Sequence, residues 1–103
     1  MKQLEEMSEK EQLSYIGQQL QKIRLKEDLT QSEVSKMTGL NRSNISVIEK
    51  GGNPNLTTFL KILQVYGRLD ELQEVLHTPE ISPMQLLKIK NKEKKYASRS
   101  KSL

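Results

Sequence analysis

Apolar positions recur along this chain at steps of three and four residues almost from its start. Leu13, Ile16, Leu20 and Ile23 fall on one face of a helix predicted over residues 11–27. The stretch Leu29-Thr30-Gln31-Ser32-Glu33-Val34 then reads as a second helix start. Thr30 can accept from exposed backbone N–H groups and Glu33 can reach back to the N–H of the cap. Leu29 and Val34 stand at the positions of a hydrophobic staple. This helix is short, because Gly39 follows within two turns and suits the left-handed conformation that ends a helix. Met37 is expected to fill a gap in the core. Asn41 caps a third helix with Ile45 and Ile48 on its inner face, and Gly51-Gly52 ends it. Gly52-Asn53-Pro54-Asn55 is a turn. A fourth helix carries a broad apolar face of Leu56, Phe59, Leu60, Ile62, Leu63 and Tyr66 and stops near Gly67. A short fifth one carries Leu69, Leu72, Val75 and Leu76.

No stretch alternates with period two over a useful length, so a sheet-based domain is excluded, and there is no internal repeat. Past Pro79 the chain restarts at Ser82-Pro83-Met84-Gln85, a cap followed by a proline at the first helical position. A short helix over 82–90 is expected there, with Leu86, Leu87 and Ile89 giving it an apolar side. Beyond Lys90 the chain is basic and Ser-rich, and disorder without a partner is expected. The predicted organisation is a flexible acidic segment at 1–10, an all-α five-helix domain at 11–76 and a basic, partly disordered carboxy-terminal tail at 77–103.

The second and third helices carry the most specific signal. Two short helices joined by a tight glycine turn form a helix-turn-helix, whose second helix enters the major groove of double-stranded DNA. Its inner positions must be apolar, and Val34, Leu40, Ile45 and Ile48 comply. A small residue is needed where the helices cross, and Ser35 supplies it. Gly39 supplies the turn. These requirements are met in register over about twenty residues, which a chance helical hairpin rarely achieves.

Charge sharpens this picture only once it is located. The 103 residues hold 17 Lys and Arg against 13 Asp and Glu, a net charge of +4, with a pI near 9.4. Residues 1–76 carry 10 basic and 11 acidic side chains, whereas residues 77–103 carry 7 basic and 2 acidic ones. The positive excess therefore belongs to the tail, which is either a solvated end or a contact for nucleic acid or an acidic partner. The rest of the composition excludes other classes. With no Cys and one His there is no disulfide framework and little from which to build a metal centre or a catalytic triad. No apolar run approaches the ~18 residues of a membrane span, and the acidic amino end lacks the apolar core of a signal peptide. A cytoplasmic, non-enzymatic protein is expected, with no catalytic residue, metal or cofactor.

Residues from about Ile16 to Leu76 resemble the Cro/phage-repressor type of helix-turn-helix, the xenobiotic-response-element family. The resemblance is carried by Leu20-Gln21-Lys22-Ile23-Arg24, Leu29 to Val34, Gly39-Leu40-Asn41-Arg42-Ser43-Asn44-Ile45-Ser46 and Ile48-Glu49-Lys50-Gly51. It implies a lambda-repressor-like fold and a sequence-specific repressor. The stretch Asn55 to Gln64 is most similar to the HipB branch, antitoxins that repress their own operon and bind a HipA-like serine/threonine kinase toxin.

The same resemblance implies roles for single residues. Gln31 matches the family glutamine that hydrogen-bonds a backbone phosphate. Arg42 and Ser43 match positions that reach base edges, and Ser46 and Val47 the next turn of that face. Arg42 could donate two hydrogen bonds to guanine or clamp a phosphate. Val47 departs from the polar residue common there, and either meets a thymine methyl or faces outward. Asn41, Asn44 and Lys50 are phosphate contacts, although Asn41 is also a cap, and Glu49 is structural. A homodimer is expected, because one recognition helix covers few base pairs; residues 66–76 are its candidate seam or, equally, core. The alternatives are a stand-alone repressor without a toxin and an interaction adaptor on the same fold.

Overall fold

The computed structural model describes residues 2–80, 83–85 and 87–91. It is all-helical, with no strand among the described residues. A 3-10 turn at Leu4–Glu6 precedes five helices: α1 (Glu9–Lys26), α2 (Gln31–Thr38), α3 (Arg42–Glu49), α4 (Leu56–Val65) and α5 (Leu69–Leu76). Residues 83–85 and 87–91 are also helical; the expected cap Ser82 and the apolar Leu86 lie outside the described residues.

Local sequence accounts for the boundaries. α1 begins two residues earlier than its apolar pattern indicates, because Ser8 accepts from Glu11 N–H at 3.2 Å while Glu11 accepts from Ser8 N–H at 3.1 Å. The same reciprocal pair opens α2, where Thr30 and Glu33 bond each other's backbone N–H at 3.0 Å. Gly39 ends α2 in the left-handed region at φ 76°. Thr38 and Ser35 then fasten the turn: Thr38 Oγ1 donates to the Val34 carbonyl at 2.7 Å and accepts from Leu40 N–H, and Ser35 donates to the Leu40 carbonyl. Asn55 caps α4 by accepting from Thr58 N–H at 2.8 Å.

The core is small: Leu20 from α1, Val34 from α2, Ile45 and Ile48 from α3, and Ile62, Leu63 and Tyr66 from α4 and its end. Ile16, Ile23, Leu29, Leu40, Phe59, Leu69 and Leu72 pack around them half-buried. Three expectations are corrected. Met37 is 58% exposed, in a surface recess with Lys61, Gln64 and Val65; the turn at Gly39 brings Leu40 against the core instead. Leu56, at the first position of α4, is 70% exposed, since the core-facing row of that helix starts at Phe59. The α5 stripe is divided: Leu69 and Leu72 pack on the core, while Leu76 and Val75 are exposed.

One glycine fixes how α1 meets α3. A Cβ on Gly17 would lie 2.3 Å from the Ile48 carbonyl oxygen and 2.9 Å from that of Glu49. The absence of a side chain there lets the last turn of α3 lie directly against α1. This close approach sets the angle at which α3 projects from the domain.

Candidate nucleic-acid interface

The spacing of α3 separates its residues into two faces. Ile45, Ile48 and Glu49 are buried. Arg42, Ser43, Val47 and Lys50 are exposed and Ser46 is half-exposed; these five wind along the opposite side, with exposed Asn44 on its flank. The side chains of Asn41, Arg42, Ser43, Asn44, Ser46 and Lys50 have no hydrogen-bond or ion-pair partner among the described residues. Asn41 stands at the N-cap but makes no side-chain cap bond, unlike Ser8, Thr30 and Asn55. The expected competition between capping and an external contact therefore does not arise for it.

Arg42, the first residue of α3, shares an open cleft with the amino end of α2. Arg24, Leu25, Asp28, Leu29, Thr30, Gln31 and Ser32 form the rest of its lining. The backbone N–H groups of the first turn of α2 contribute partial positive charge here. The Thr30 backbone N–H that Glu33 accepts lowers the Glu33 carboxyl below the ordinary glutamate value, so that side chain is an anion committed to the cap.

Beneath this surface lies an ion pair that sequence reasoning missed. Arg24 Nε donates to Glu49 Oε2 at 2.7 Å and Arg24 Nη2 to Glu49 Oε1 at 3.1 Å, with side chains only 9% and 3% exposed. Arg24 Nη1 donates to the Leu29 carbonyl at 2.8 Å, and Gln31 Nε2 donates to Glu49 Oε1 at 3.0 Å. One network thus joins α1, the connection to α2, the start of α2 and the end of α3. The Glu49 hydrogen bonds hold the Arg24 guanidinium above its already high ordinary value. Glu49 is structural, as expected. Gln31 is half-buried and gives one N–H to Glu49, which fixes its direction and leaves its other N–H and its carbonyl oxygen for an outside group. A signal for the pair was present in the sequence. Arg24 follows Leu20 by four residues, and Glu49 follows Ile45 by four, so opposite charges share the inward rows of two helices.

Charge is distributed accordingly. Between Thr30 and Asn55 the exposed charged residues are Lys36, Arg42 and Lys50 against Glu33 alone. Most of the acidic residues that make the domain near-neutral lie elsewhere, at Glu5, Glu6, Glu9 and Glu11 and on α5 at Asp70, Glu71 and Glu74, whereas exposed Glu27 and Asp28 precede α2 and Asp28 lines the cleft beside Arg42.

Val47 is 57% exposed, and its side chain is crowded from one side, since a Cβ on Gly52 would lie 2.4 Å from its Cγ1. The eight predicted positions, Gln31, Asn41, Arg42, Ser43, Asn44, Ser46, Val47 and Lys50, are thus carried by α3 with its two flanking residues and by the first residue of α2. An exposed helix face rich in unpaired donors, beside a second helix's positive end, is suited to a polyanion with readable edges.

Comparison with known proteins agrees. Residues 20–73, just over half of the chain, match the family described as Helix-turn-helix. The chain is also 36% identical over 64 residues to "Putative transcriptional regulatory protein MJ0173" of Methanocaldococcus jannaschii, covering 54% of this chain and 47% of that one. The chain therefore spans about half the length of this relative. Among the described residues no helix is long and apolar enough to cross a membrane.

Proposed function

The chain belongs to the helix-turn-helix family, and on that premise we propose that it is a sequence-specific DNA-binding transcriptional repressor that works in the cytoplasm as a homodimer. The observation that carries this reading is the outward face of α3, where Arg42, Ser43, Ser46, Val47 and Lys50 form one continuous surface free of internal partners. Arg42 reads a base edge through its planar fork. Gln31, Asn41, Asn44 and Lys50 hold phosphates on either side and so fix the register of the helix in the groove. The buried Arg24–Glu49 pair and the Gln31–Glu49 bond tie α1 and the start of α2 to the end of α3 while this happens.

Within this reading the chain is an antitoxin of the HipB kind, which represses its own operon and binds a kinase toxin. The likeness of Asn55 to Gln64 supports this, as do the apolar side chains of Met37 and Leu56 left exposed on α2 and α4. Co-expression with the product of the adjacent gene tests it: rescue from toxicity and a stable complex are expected, and neither would appear if the chain is a stand-alone repressor.

The DNA-binding reading is tested by selecting duplexes from a random pool and measuring affinity for the enriched site by fluorescence anisotropy over a range of salt. Enrichment of a two-fold symmetric site is expected. Affinity should fall with salt at a log–log slope of about −0.9 for each phosphate neutralised, hence about −3.6 to −5.4 for a dimer using two or three cations per copy. No enrichment and no salt dependence would contradict the proposal and favour an adaptor.

A further inference from the structure

Along the outward face of α3 and its end, Arg42, Ser43, Ser46 and Lys50 are polar or charged, and Val47 is not. Val47 stands one turn after Ser43 and one turn before Lys50, so it occupies the middle of that face and not its edge. It is 57% exposed. A scattered surface valine needs no explanation, but this one is held in place. The turn that follows α3 closes against it, with Gly52 N–H donating to the Val47 carbonyl at 2.8 Å. Gly51 in that turn adopts the left-handed region at φ 102°, which accounts for its missing side chain, whereas Gly52 does not adopt it. Gly52 is required for space instead. A Cβ there would lie 2.4 Å from Val47 Cγ1 and 2.8 Å from the Val47 carbonyl oxygen. Neither atom yields cheaply, because the oxygen belongs to the helix backbone and a β-branched side chain has one strongly preferred rotamer in a helix. The bare backbone of Gly52 thus packs against one side of Val47 and leaves it fixed in direction and open outward.

We propose, on the DNA-binding reading above, that Val47 reads the C5-methyl group of a thymine and that Gly52 is the positioning residue that holds it there. In the major groove the base edges present hydrogen-bond donors and acceptors, and thymine adds a methyl group. A purely polar base edge set against Val47 gives up water and gains no partner, which costs free energy. A thymine methyl set there exchanges water for apolar contact, which is favourable. The stiffness of Val47 adds selectivity, since a side chain already in one rotamer loses little entropy on contact and cannot turn away from a wrong base. Arg42 lies five residues earlier, roughly 7.5 Å along the helix at ~1.5 Å per residue, so the two side chains address different base pairs.

The duplex enriched from a random pool is resynthesised with each thymine in turn replaced by deoxyuridine, which removes the methyl and keeps the hydrogen-bonding edge. Affinities for the full-length chain are read by fluorescence anisotropy. At one thymine position the exchange should weaken binding about fourfold, the value of one buried methyl group. Val47→Ala should lose about the same factor on the thymine duplex and none on the uracil duplex, so that it binds the two alike. Val47 is exposed and alanine is a good helix former, so this variant folds. Arg42→Ala should weaken both duplexes and keep their ratio. Gly52→Ala should bring the ratio towards one; a merely structural role would weaken both duplexes equally, and that result overturns the part given to Gly52. Indifference to every exchange, or a methyl preference undiminished in Val47→Ala, overturns the thymine assignment. If the same duplex still loses affinity on Arg42→Ala, DNA binding stands and only the assignment falls. Enrichment of no duplex at all overturns both.

Discussion

Replacing Glu49 by Ala tests whether the buried ion pair organises the helix-turn-helix. The substitution removes two hydrogen bonds from Arg24 and one from Gln31. It leaves a guanidinium whose side chain is only 9% exposed, with the Leu29 carbonyl as its remaining partner. Losing one member of such a pair costs about 3–5 kcal/mol, because the other charge stays desolvated. A small domain has total stability near the lower end of about 5–15 kcal/mol, so Glu49→Ala should be barely folded at 25 °C. Arg24→Met should cost a similar amount. The double variant Arg24→Met with Glu49→Ala removes both charges and should cost less than either single change, orphaning only the Leu29 carbonyl and one Gln31 N–H at about 1–3 kcal/mol in total. Urea unfolding followed by circular dichroism measures all four proteins. The cycle should return a coupling of about 3 kcal/mol or more. Salt between 0.1 and 1 M should barely change that coupling, because buried pairs are little screened. A loss under about 1 kcal/mol for Glu49→Ala, which is the range of a surface pair, or a coupling that vanishes in salt, would refute the argument.

Gly17→Ala should destabilise the domain by about 1–3 kcal/mol through overpacking against α3, although the same change in an exposed helix gains roughly 0.5–1 kcal/mol; a raised melting temperature would show that the α1–α3 contact relaxes freely. Burial, reinforced by Glu49, pushes the Tyr66 phenol up to about 12 from an ordinary value of 10.0. The stability this represents is complete below pH 10 and is lost as pH rises through the folded value. Tyr66→Phe should therefore remove an alkaline unfolding limb between about pH 10 and 12 and leave none of that dependence in the melting curve. Arg42→Ala should weaken binding to a selected duplex by about 1–3 kcal/mol and relax preference at one base position. Equal losses on selected and random duplexes would make Arg42 a phosphate contact instead.

Local rules account for most of what was legible. The reciprocal cap at Thr30 and Glu33, the left-handed Gly39 and the inward row of Val34, Leu40, Ile45 and Ile48 depend on neighbours within a few residues, and all appear as the sequence implies. Long-range complementarity was harder to see. Arg24 and Glu49 are 25 residues apart, and although each falls on the inward row of its helix, their pairing emerges only when the helices are placed together. Gly17 reads as a weak point in a helix until Ile48 and Glu49 arrive beside it. Met37 and Leu56 show the converse error: hydrophobicity at a helical position says only that burial is favourable, and Met37 lies in an open surface recess beside α4 while Leu56 precedes the core-facing row of that helix.

The same logic applies to charge. A near-neutral domain is a poor advertisement for a DNA binder, yet most of its acids lie on the amino end and α5, Glu49 is paired with Arg24, and Lys36, Arg42 and Lys50 dominate the exposed charge between Thr30 and Asn55, with Asp28 as the acid in the cleft beside Arg42. Net charge is an average over surfaces that act separately.

The central claim is that the outer face of α3 and the amino end of α2 meet DNA, and amide chemical-shift mapping with a short duplex at low salt tests it most directly. Non-specific affinity of about 10⁻⁴–10⁻⁶ M is enough, so no operator need be known. The account predicts perturbations concentrated at Gln31, Ser32 and residues 41–50, with α5 and the acidic amino end unmoved. Perturbations centred on α5 or the amino end, or none at all, would contradict it.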